Sequence, residues 1–284
     1  MEKVRTALDQ KLQAVMFDPH LVKWQLTPDG DPILTRAARL LPVRWRGEAA
    51  MLKIAVETDE RSGGVLMDWW DGDGAARVLA RDDDGLLLER AQGERSLADF
   101  ARNGRDDDAT RILCDTIAGL HRPRAKPLPD LIPLSVWFGE LEPTALAFGG
   151  VLARCATAAR QLLADPQDVG VLHGDIHHDN VLDFGARGWL AIDPKRLHGE
   201  RGSDYANLFC NPDIGAPVQR VATLPERFVR RLEIVTERSG LDRRRLLLWI
   251  IAWTGLSAAW IINDGDVPAV DLQIAEFALA EINR

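Results

Sequence analysis

The residues most suited to chemistry lie in one polar stretch. It reads His-Gly-Asp-Ile-His-His-Asp-Asn from His173 to Asn180, and Asp193 follows in the sequence Ile-Asp-Pro-Lys. Phosphoryl transfer needs a carboxylate that orients and deprotonates an attacking hydroxyl, and oxygen ligands that hold Mg²⁺ against the phosphates of ATP. Asp175 fits the first role, and Asn180 and Asp193 fit the second. A loop between short strands can point the three side chains into one cleft.

The combination of these residues is more informative than any one of them. A single Asp or Asn in a loop usually caps a turn or bonds to the backbone. The spacing is also that of the protein-kinase motifs His-Arg-Asp and Asp-Phe-Gly. Here Gly174 replaces the arginine and Pro194 follows the last aspartate, and both departures point away from a protein kinase.

Lys53 is a second indication of phosphate chemistry. It is the single charged residue in the apolar stretch from Ala49 to Val56, and a lysine in a buried strand requires an anionic partner. The phosphates of ATP would supply that partner. The alternative is a lysine at a strand edge whose ammonium group reaches water, but its place upstream of the polar loop favours the phosphates.

The pattern of elements predicts an α+β chain with two lobes. Two strands over 33–43 and 49–56, a helix ending near Trp70 and strands over 76–80 and 85–89 indicate a small β-rich lobe. We therefore expect an N-terminal nucleotide-binding lobe at 1–91 and a larger, helical catalytic and substrate-binding lobe at 92–284. Helices are predicted at 96–101, 107–121, 143–164, 224–239 and 242–262, with a β-rich exception at 169–193.

The composition of the chain limits the classes of partner that it could bind. The chain has 284 residues, a formal charge of −8 and no long basic run, so nucleic acid is a poor candidate and an acidic surface favours cationic ligands. The start of the chain lacks a leader pattern, which predicts a cytoplasmic location. The apolar stretch 246–262 is short for a membrane span and contains Thr254, Gly255 and Ser257, so we expect a core helix and no membrane partner. Three separated cysteines predict neither disulfides nor a cysteine metal site.

Several motifs together resemble the aminoglycoside phosphotransferase family, and they extend over nearly the whole chain. The general ones are Met-Leu-Lys-Ile-Ala, Leu-Leu-Leu-Glu-Arg-Ala, His-Gly-Asp with Asn180, and Ile-Asp-Pro-Lys. More narrowly, Trp-Trp-Asp-Gly-Asp-Gly, Asn-Val-Leu-Asp-Phe-Gly, Asp-Tyr-Ala-Asn and Trp-Ile-Ile-Ala-Trp-Thr-Gly-Leu-Ser are similar to the streptomycin 6-phosphotransferase branch, which has the hydroxyurea kinases as neighbours.

The resemblance implies a bilobal, protein-kinase-like fold with ATP and Mg²⁺ as cofactors. By that resemblance Asp175 is the base, Asn180 and Asp193 bind Mg²⁺ and Lys53 holds phosphates. The backbone from Glu89 to Ala91 would receive adenine, and His173 would brace the loop. The segment 35–39 lacks the glycines of a protein-kinase phosphate loop. The helix glutamate that pairs with Lys53 is Glu60 or Glu57, with Glu60 preferred.

A cationic aminocyclitol such as streptomycin would bind to carboxylates and aromatic walls. Glu200, Asp204 and the tryptophans of the 242–262 helix are the candidates. Asp204 has an equally good alternative role as a cap or loop brace. Trp249 and Trp253, four residues apart, fit a core better than a pocket.

The leading functional hypothesis is ATP-dependent phosphorylation of the 6-hydroxyl of streptomycin, which would confer resistance. The alternatives are a kinase for hydroxyurea or another small hydroxylated molecule, and a nucleotide-binding regulator without catalysis. A metal hydrolase built on His173, His177, His178 and Asp179 is a third class. It is disfavoured because the stretch lacks a helical His-x-x-x-His frame with a placed carboxylate base. The sequence leaves the oligomeric state open.

Overall fold

An antiparallel sheet forms the smaller of two lobes. The computed structural model describes residues 16–35, 38–56, 58–214 and 219–284, with the backbone alone for 58–62. Strands β3, β4, β6 and β5 are adjacent in that order, with β1 and β2 both on the outer side of β3. The strands are β1 (Thr27–Pro28), β2 (Ile33–Leu34), β3 (Ala38–Trp45), β4 (Glu48–Ala55), β5 (Val78–Arg81) and β6 (Gly85–Glu89).

The predicted hairpin is found as β3 and β4, and its turn fixes the register. The single strand expected over 33–43 is wrong, because Ile33–Leu34 is a separate strand that pairs antiparallel with β3. Arg46 and Gly47 both have positive φ, 52° and 85°, as a two-residue turn with the twist of a hairpin requires. Trp45 then pairs with Glu48, and Leu40 pairs with Lys53. This register places Lys53 in the middle of the sheet.

One helix, α1 (Thr58–Trp70), lies between strands β4 and β5 in the chain. It ends where the sequence predicts, at the Asp-Gly-Asp-Gly turn that starts at Asp71. A Cβ added at Gly63 would lie 2.6 Å from the carbonyl oxygen of Pro194. Glycine therefore allows the helix to approach the segment that carries Asp193.

Helices dominate the larger lobe. They are α2 (Leu97–Phe100), α3 (Asp106–Leu120), α4 (Leu134–Trp137), α5 (Leu141–Phe148), α6 (Gly150–Ala164), α7 (Pro225–Ser239), α8 (Arg243–Asn263) and α9 (Ala269–Glu281). The single helix expected at 143–164 is wrong, because Gly149 and Gly150 have positive φ and divide it into α5 and α6. The sequence reading also missed α9.

Helix α8 crosses the centre of this lobe. Its length and hydropathy would suit a membrane span, but 72% of its most apolar window is buried inside the protein. A Cβ added at Gly255 would lie 2.2 Å from the Cβ of Cys155, so α8 and α6 are in very close contact. The prediction of a core helix is confirmed. The three cysteines are free thiols and buried.

Two small sheets interrupt the helices and position the polar loop. Strand β8 (Val169–Leu172) pairs with β11 (Leu197–Glu200), which also pairs with β7 (Ile132–Pro133). Strands β9 (Val181–Asp183) and β10 (Trp189–Ala191) form a hairpin. The loop 173–180 therefore joins the two sheets, and Asp193 lies on the return between them. This arrangement confirms the predicted α+β architecture.

Candidate active site

The loop begins with a buried histidine that holds its backbone. His173 has no exposed surface. Its Nε2 donates to the Ile192 carbonyl at 2.8 Å, and its Nδ1 accepts from the Asp175 amide at 3.2 Å. Burial lowers the pKa of His173, which favours the neutral ring that this pair of bonds requires. The ring thus ties Asp175 to the segment that carries Asp193.

Asp204 holds the backbone of the same loop through hydrogen bonds. Its Oδ2 accepts from the His173 amide and from Nε2 of His121, both at 2.8 Å, and its Oδ1 accepts from the Gly174 amide at 2.7 Å. Only 3% of the residue is exposed. The substrate contact suggested for Asp204 is therefore wrong, and its alternative role as a loop brace agrees with the structure.

Glu200 is also buried and hydrogen-bonded within the protein. One oxygen accepts from the Trp249 indole at 2.7 Å and the other from the Gln167 amide at 2.9 Å. Arg245 donates to both oxygens at 2.6 Å. With 2% of the residue exposed and both oxygens bonded, Glu200 is unavailable to a ligand. The suggestion that it contacts substrate is a second correction.

Asp175 is held in place yet accessible. Its Oδ1 accepts from Nδ2 of Asn207 at 2.9 Å. Nδ2 of Asn180 donates to its backbone carbonyl at 2.8 Å and to its Oδ2 at 3.3 Å. About a third of the side chain, 31%, is exposed. Two amide donors therefore orient a carboxylate that can still receive a proton from a bound molecule.

Asp193 lies opposite Lys53, a pairing that the sequence analysis did not predict. It has a φ of 63°, which turns the chain sharply after β10. Lys53, 7% exposed, forms an ion pair with Asp193 although 140 residues separate them. Lys53 thus has an anionic partner in the protein itself, and it is positioned where phosphates could share it. The side chains of Glu57 and Glu60 lie outside the described residues.

Magnesium would fit beside Asn180 and Asp193. A carboxylate and an amide carbonyl are the oxygen ligands that Mg²⁺ prefers, and the ion usually takes only one or two carboxylates together with phosphates and water. In the part of the chain that the structure describes, no three or more His, Cys, Asp or Glu side chains form a metal-holding group. Both ring nitrogens of His173 are hydrogen-bonded within the protein, so among the described residues His173 does not join a cluster of the kind that a metal hydrolase needs.

A cavity of about 360 Å³, here called the interlobe cavity, separates the lobes at Lys53. Leu40 and Met51 line one wall, and Leu182, Phe184 and Ile192 line the other. Such flat apolar walls suit an aromatic ring.

Residues 89–91 line the interlobe cavity, and their role as an adenine-binding hinge stays a prediction. The Glu89 carboxylate accepts from the Arg77 amide at 2.6 Å and pairs with Arg187. Its side chain is thus engaged within the protein, and the backbone of the segment is what borders the cavity.

A larger cavity, of about 800 Å³, has Asp175 in its wall and is here called the tryptophan cavity. It is lined by three tryptophans and several acidic side chains: Trp137, Trp253, Trp260, Glu140, Asp175, Asp179 and Asp264. Trp249 is core as expected, whereas Trp253 contributes to the wall. Sequence reasoning missed Trp137, Glu140, Asp179 and Asp264 as candidates for substrate binding.

Comparison with known proteins gives a consistent result. Residues 23–265 match the family model described as aminoglycoside/hydroxyurea antibiotic resistance kinase. A streptomycin 3''-kinase of Klebsiella pneumoniae is 54% identical, over 90% of this chain and 97% of that protein. A streptomycin 6-kinase of Streptomyces griseus is 33% identical, over 89% and 84%.

Similar structures support the same fold. An aminoglycoside phosphotransferase solved with ADP and hygromycin B aligns with a TM-score of 0.64 at 12% identity, covering 92% of this chain and 97% of that one. An aminoglycoside phosphotransferase of Streptomyces rimosus aligns with a TM-score of 0.57 at 21% identity, covering 89% and 98%. The fold is therefore the bilobal, protein-kinase-like one, and the chain belongs to the aminoglycoside/hydroxyurea antibiotic resistance kinases, which phosphorylate hydroxyl groups of small molecules.

Proposed function

We propose that this protein transfers the γ-phosphoryl group of ATP to a hydroxyl of streptomycin and so confers resistance to it. The observation that carries the proposal is the tryptophan cavity beside Asp175, with its three indoles and its acidic side chains. Streptomycin carries two guanidinium groups and a methylammonium group. Carboxylates bind such cations by charge-assisted hydrogen bonds, and indole faces attract them.

Each of the two cavities would bind one of the two substrates. Adenine would lie between the apolar walls of the interlobe cavity against the backbone of 89–91, with Lys53 at the phosphates. Streptomycin would occupy the tryptophan cavity. Asp175 lies on the wall of the tryptophan cavity, at the loop that also carries Asn180. We assign residues 1–91 to nucleotide binding and 92–284 to catalysis and substrate binding.

Asp175 would act as the base. Its carboxylate, oriented by Asn207 and Asn180, would accept a hydrogen bond from the acceptor hydroxyl and take its proton as the oxygen bonds to phosphorus. Asn180 and Asp193 would hold Mg²⁺, which when bound neutralises phosphate charge. The reaction would take place in the cytoplasm, where ATP is available.

The acceptor hydroxyl has two candidates. The sequence motifs favour the 6-hydroxyl, and a relative named streptomycin 6-kinase is 33% identical. The relative at 54% identity is named streptomycin 3''-kinase. Each hydroxyl neighbours a carbon that bears a cationic nitrogen group, so acidic side chains near Asp175 would suit both positions.

The test is incubation of the purified protein with Mg-ATP and streptomycin, followed by mass spectrometry and phosphorus–proton correlation spectra of the product. A phosphomonoester on carbon 6 or carbon 3'' supports the proposal and decides the position. Hydroxyurea is the parallel acceptor, because a hydroxyurea phosphotransferase of Kitasatospora aureofaciens is 32% identical. Turnover of hydroxyurea without turnover of streptomycin would refute the proposed substrate and leave the kinase assignment intact.

A further inference from the structure

Lys195 lies at the centre of the site, two residues after Asp193. Its amide donates to the His173 carbonyl at 2.7 Å, so its backbone is tied to the loop that carries Asp175. A Cβ added at Gly174 would lie 3.1 Å from the Cβ of Lys195. The side chain of Lys195 therefore starts close to the loop that carries Asp175.

The ammonium group of Lys195 faces the reaction zone. Its Nζ lies 3.8 Å from Oδ2 of Asp175, and 22% of its side chain is exposed. Among the described residues that line the tryptophan cavity, Lys195 is the one Lys or Arg. A cation is unexpected in a cavity that would bind a cationic substrate, since it repels that substrate. Its position beside Asp175 calls for another role.

Phosphoryl transfer provides that role. The moving group carries charge on its equatorial oxygens, and kinases and GTPases supply cations to stabilise it. The loop 173–180 contains no Lys or Arg, and Lys53 pairs with Asp193 on the nucleotide side. Lys195 is the cation on the acceptor side, next to the base.

We propose that Lys195 is a further catalytic residue, whose ammonium group contacts the phosphoryl group as it passes from ATP to the acceptor. In this step the acceptor oxygen forms its bond to the γ-phosphorus, and the bond to the β–γ bridging oxygen breaks. The acceptor proton goes to the Asp175 carboxylate, and Lys195 stays protonated throughout. The inference rests on the proposed kinase reaction, but it does not depend on which hydroxyl accepts the phosphoryl group.

A competing explanation is that Lys195 only pairs with Asp175 and holds the loop. Lys195→Met removes the charge and keeps the stem, and Lys195→Arg keeps a charge in a different shape. We expect Lys195→Met to lower kcat about 100-fold, the usual effect of removing one preorganised contact to transition-state charge. The KM for streptomycin should stay level or fall, because a repulsive charge has gone. The Kd for ATP should stay within about twofold, because Lys195 is absent from the lining of the interlobe cavity.

Chemical rescue separates the two explanations. Added ethylammonium should restore turnover of Lys195→Ala in a saturable way if a cation at this position acts on the phosphoryl group, and Lys195→Arg should keep more activity than Lys195→Met. A Lys195→Met variant with kcat within about threefold of the parent would overturn the proposal. So would a loss of activity that ethylammonium does not restore and that accompanies a weaker Kd for ATP.

The parent protein is measured alongside, so that a failure of the proposed function is recognised separately. If the parent phosphorylates neither streptomycin nor hydroxyurea, the proposed function fails. Slow hydrolysis of ATP by the parent and by Lys195→Met then tests the lysine, because transfer to water needs the same stabilisation of the moving group. Equal hydrolysis rates would overturn the catalytic role of Lys195.

Discussion

Removing the Asp204 carboxylate should remove the hydrogen bonds that hold the catalytic loop. The folded protein should become less stable as a result. This side chain accepts three hydrogen bonds, from two loop amides and from His121, while being 3% exposed. Asp204→Ala leaves three donors without their acceptor, one of them buried and two partly buried. Each such donor costs about 1–3 kcal/mol, and breaking a buried charged pair costs about 3–5 kcal/mol in total.

We therefore expect Asp204→Ala to lower the free energy of unfolding by about 4 kcal/mol, a large part of a typical total of about 5–15 kcal/mol. Urea denaturation followed by tryptophan fluorescence measures it. The matched control is Glu142→Ala, which breaks an exposed pair with Arg160 and should cost less than about 1 kcal/mol. An Asp204→Ala variant no less stable than Glu142→Ala would refute the bracing role.

Because Asp204 is charged in the folded protein, its contribution to the free energy of unfolding should depend on pH. Burial opposes its ionisation, but hydrogen bonds from His121 and the Gly174 amide hold its pKa below the usual value. A carboxyl group with a lowered pKa stabilises the folded state above its unfolded pKa, near 4. Its contribution should disappear as the pH falls through the lowered value, so the difference between parent and Asp204→Ala should shrink in acid.

Three further predictions concern other parts of the molecule. Burial raises the pKa of Asp271 to about 6, so the cost of its burial to the free energy of unfolding grows as the pH rises from about 4 through 6. Asp271→Asn should therefore be more stable than the parent at pH 8, as measured by urea denaturation. A difference in stability between the two proteins that is the same at pH 4.5 and pH 8 would contradict this. Gly255→Ala inserts a Cβ into the contact between α6 and α8 and should cost about 1–3 kcal/mol. Gly119→Ala, in a helix with no atom nearer than 3.9 Å to the added Cβ, should be neutral or stabilising by up to about 1 kcal/mol; equal thermal melts for the two variants would contradict the packing argument. Trp260→Ala removes an indole whose ring centroid lies 5.4 Å from that of Trp137, in an edge-to-face contact. The change should raise the KM for streptomycin about tenfold and leave the Kd for ATP unchanged. An unchanged KM would exclude this wall of the tryptophan cavity from substrate binding.

Local patterns in the sequence were sufficient for much of the fold. The β3–β4 hairpin, the stop of α1 at Asp71 and the strands around the polar loop all follow from alternation and turn residues. Helix α9 was missed because its pattern is weak. Apolar residues lie around most of its circumference, as expected of a helix buried between neighbours. The break at Gly149 depends on backbone angles that a pair of glycines allows without requiring them.

The candidate site could be predicted where the chemistry fixes both residue type and spacing. Asp175, Asn180, Asp193 and Lys53 were proposed in this way. The structure pairs Lys53 with Asp193 and Asn180 with Asp175, and their catalytic and metal-binding roles stay predictions. Glu200 was misassigned because its partners, Arg245 and Trp249, lie more than 40 residues away in sequence and satisfy it only in the folded state.

The walls of the tryptophan cavity escaped detection for the same reason. The tryptophans of α8 were among the candidates, but Trp137 and Glu140 come from another segment and Asp264 directly follows α8. No motif marks these three residues. Only the packing of the helices brings them opposite Asp175, so tertiary structure is what assembles this part of the site.

The most direct test of the central claim is a single-turnover measurement of phosphoryl transfer from Mg-ATP to streptomycin by the parent and by Asp175→Asn. The amide has the shape of the carboxylate but cannot accept the hydroxyl proton. We predict that the parent forms phosphostreptomycin, that the variant is slower by about a thousandfold, and that its Kd for ATP changes less than about twofold. A variant that transfers phosphate within about tenfold of the parent would contradict the assignment of Asp175 as the base.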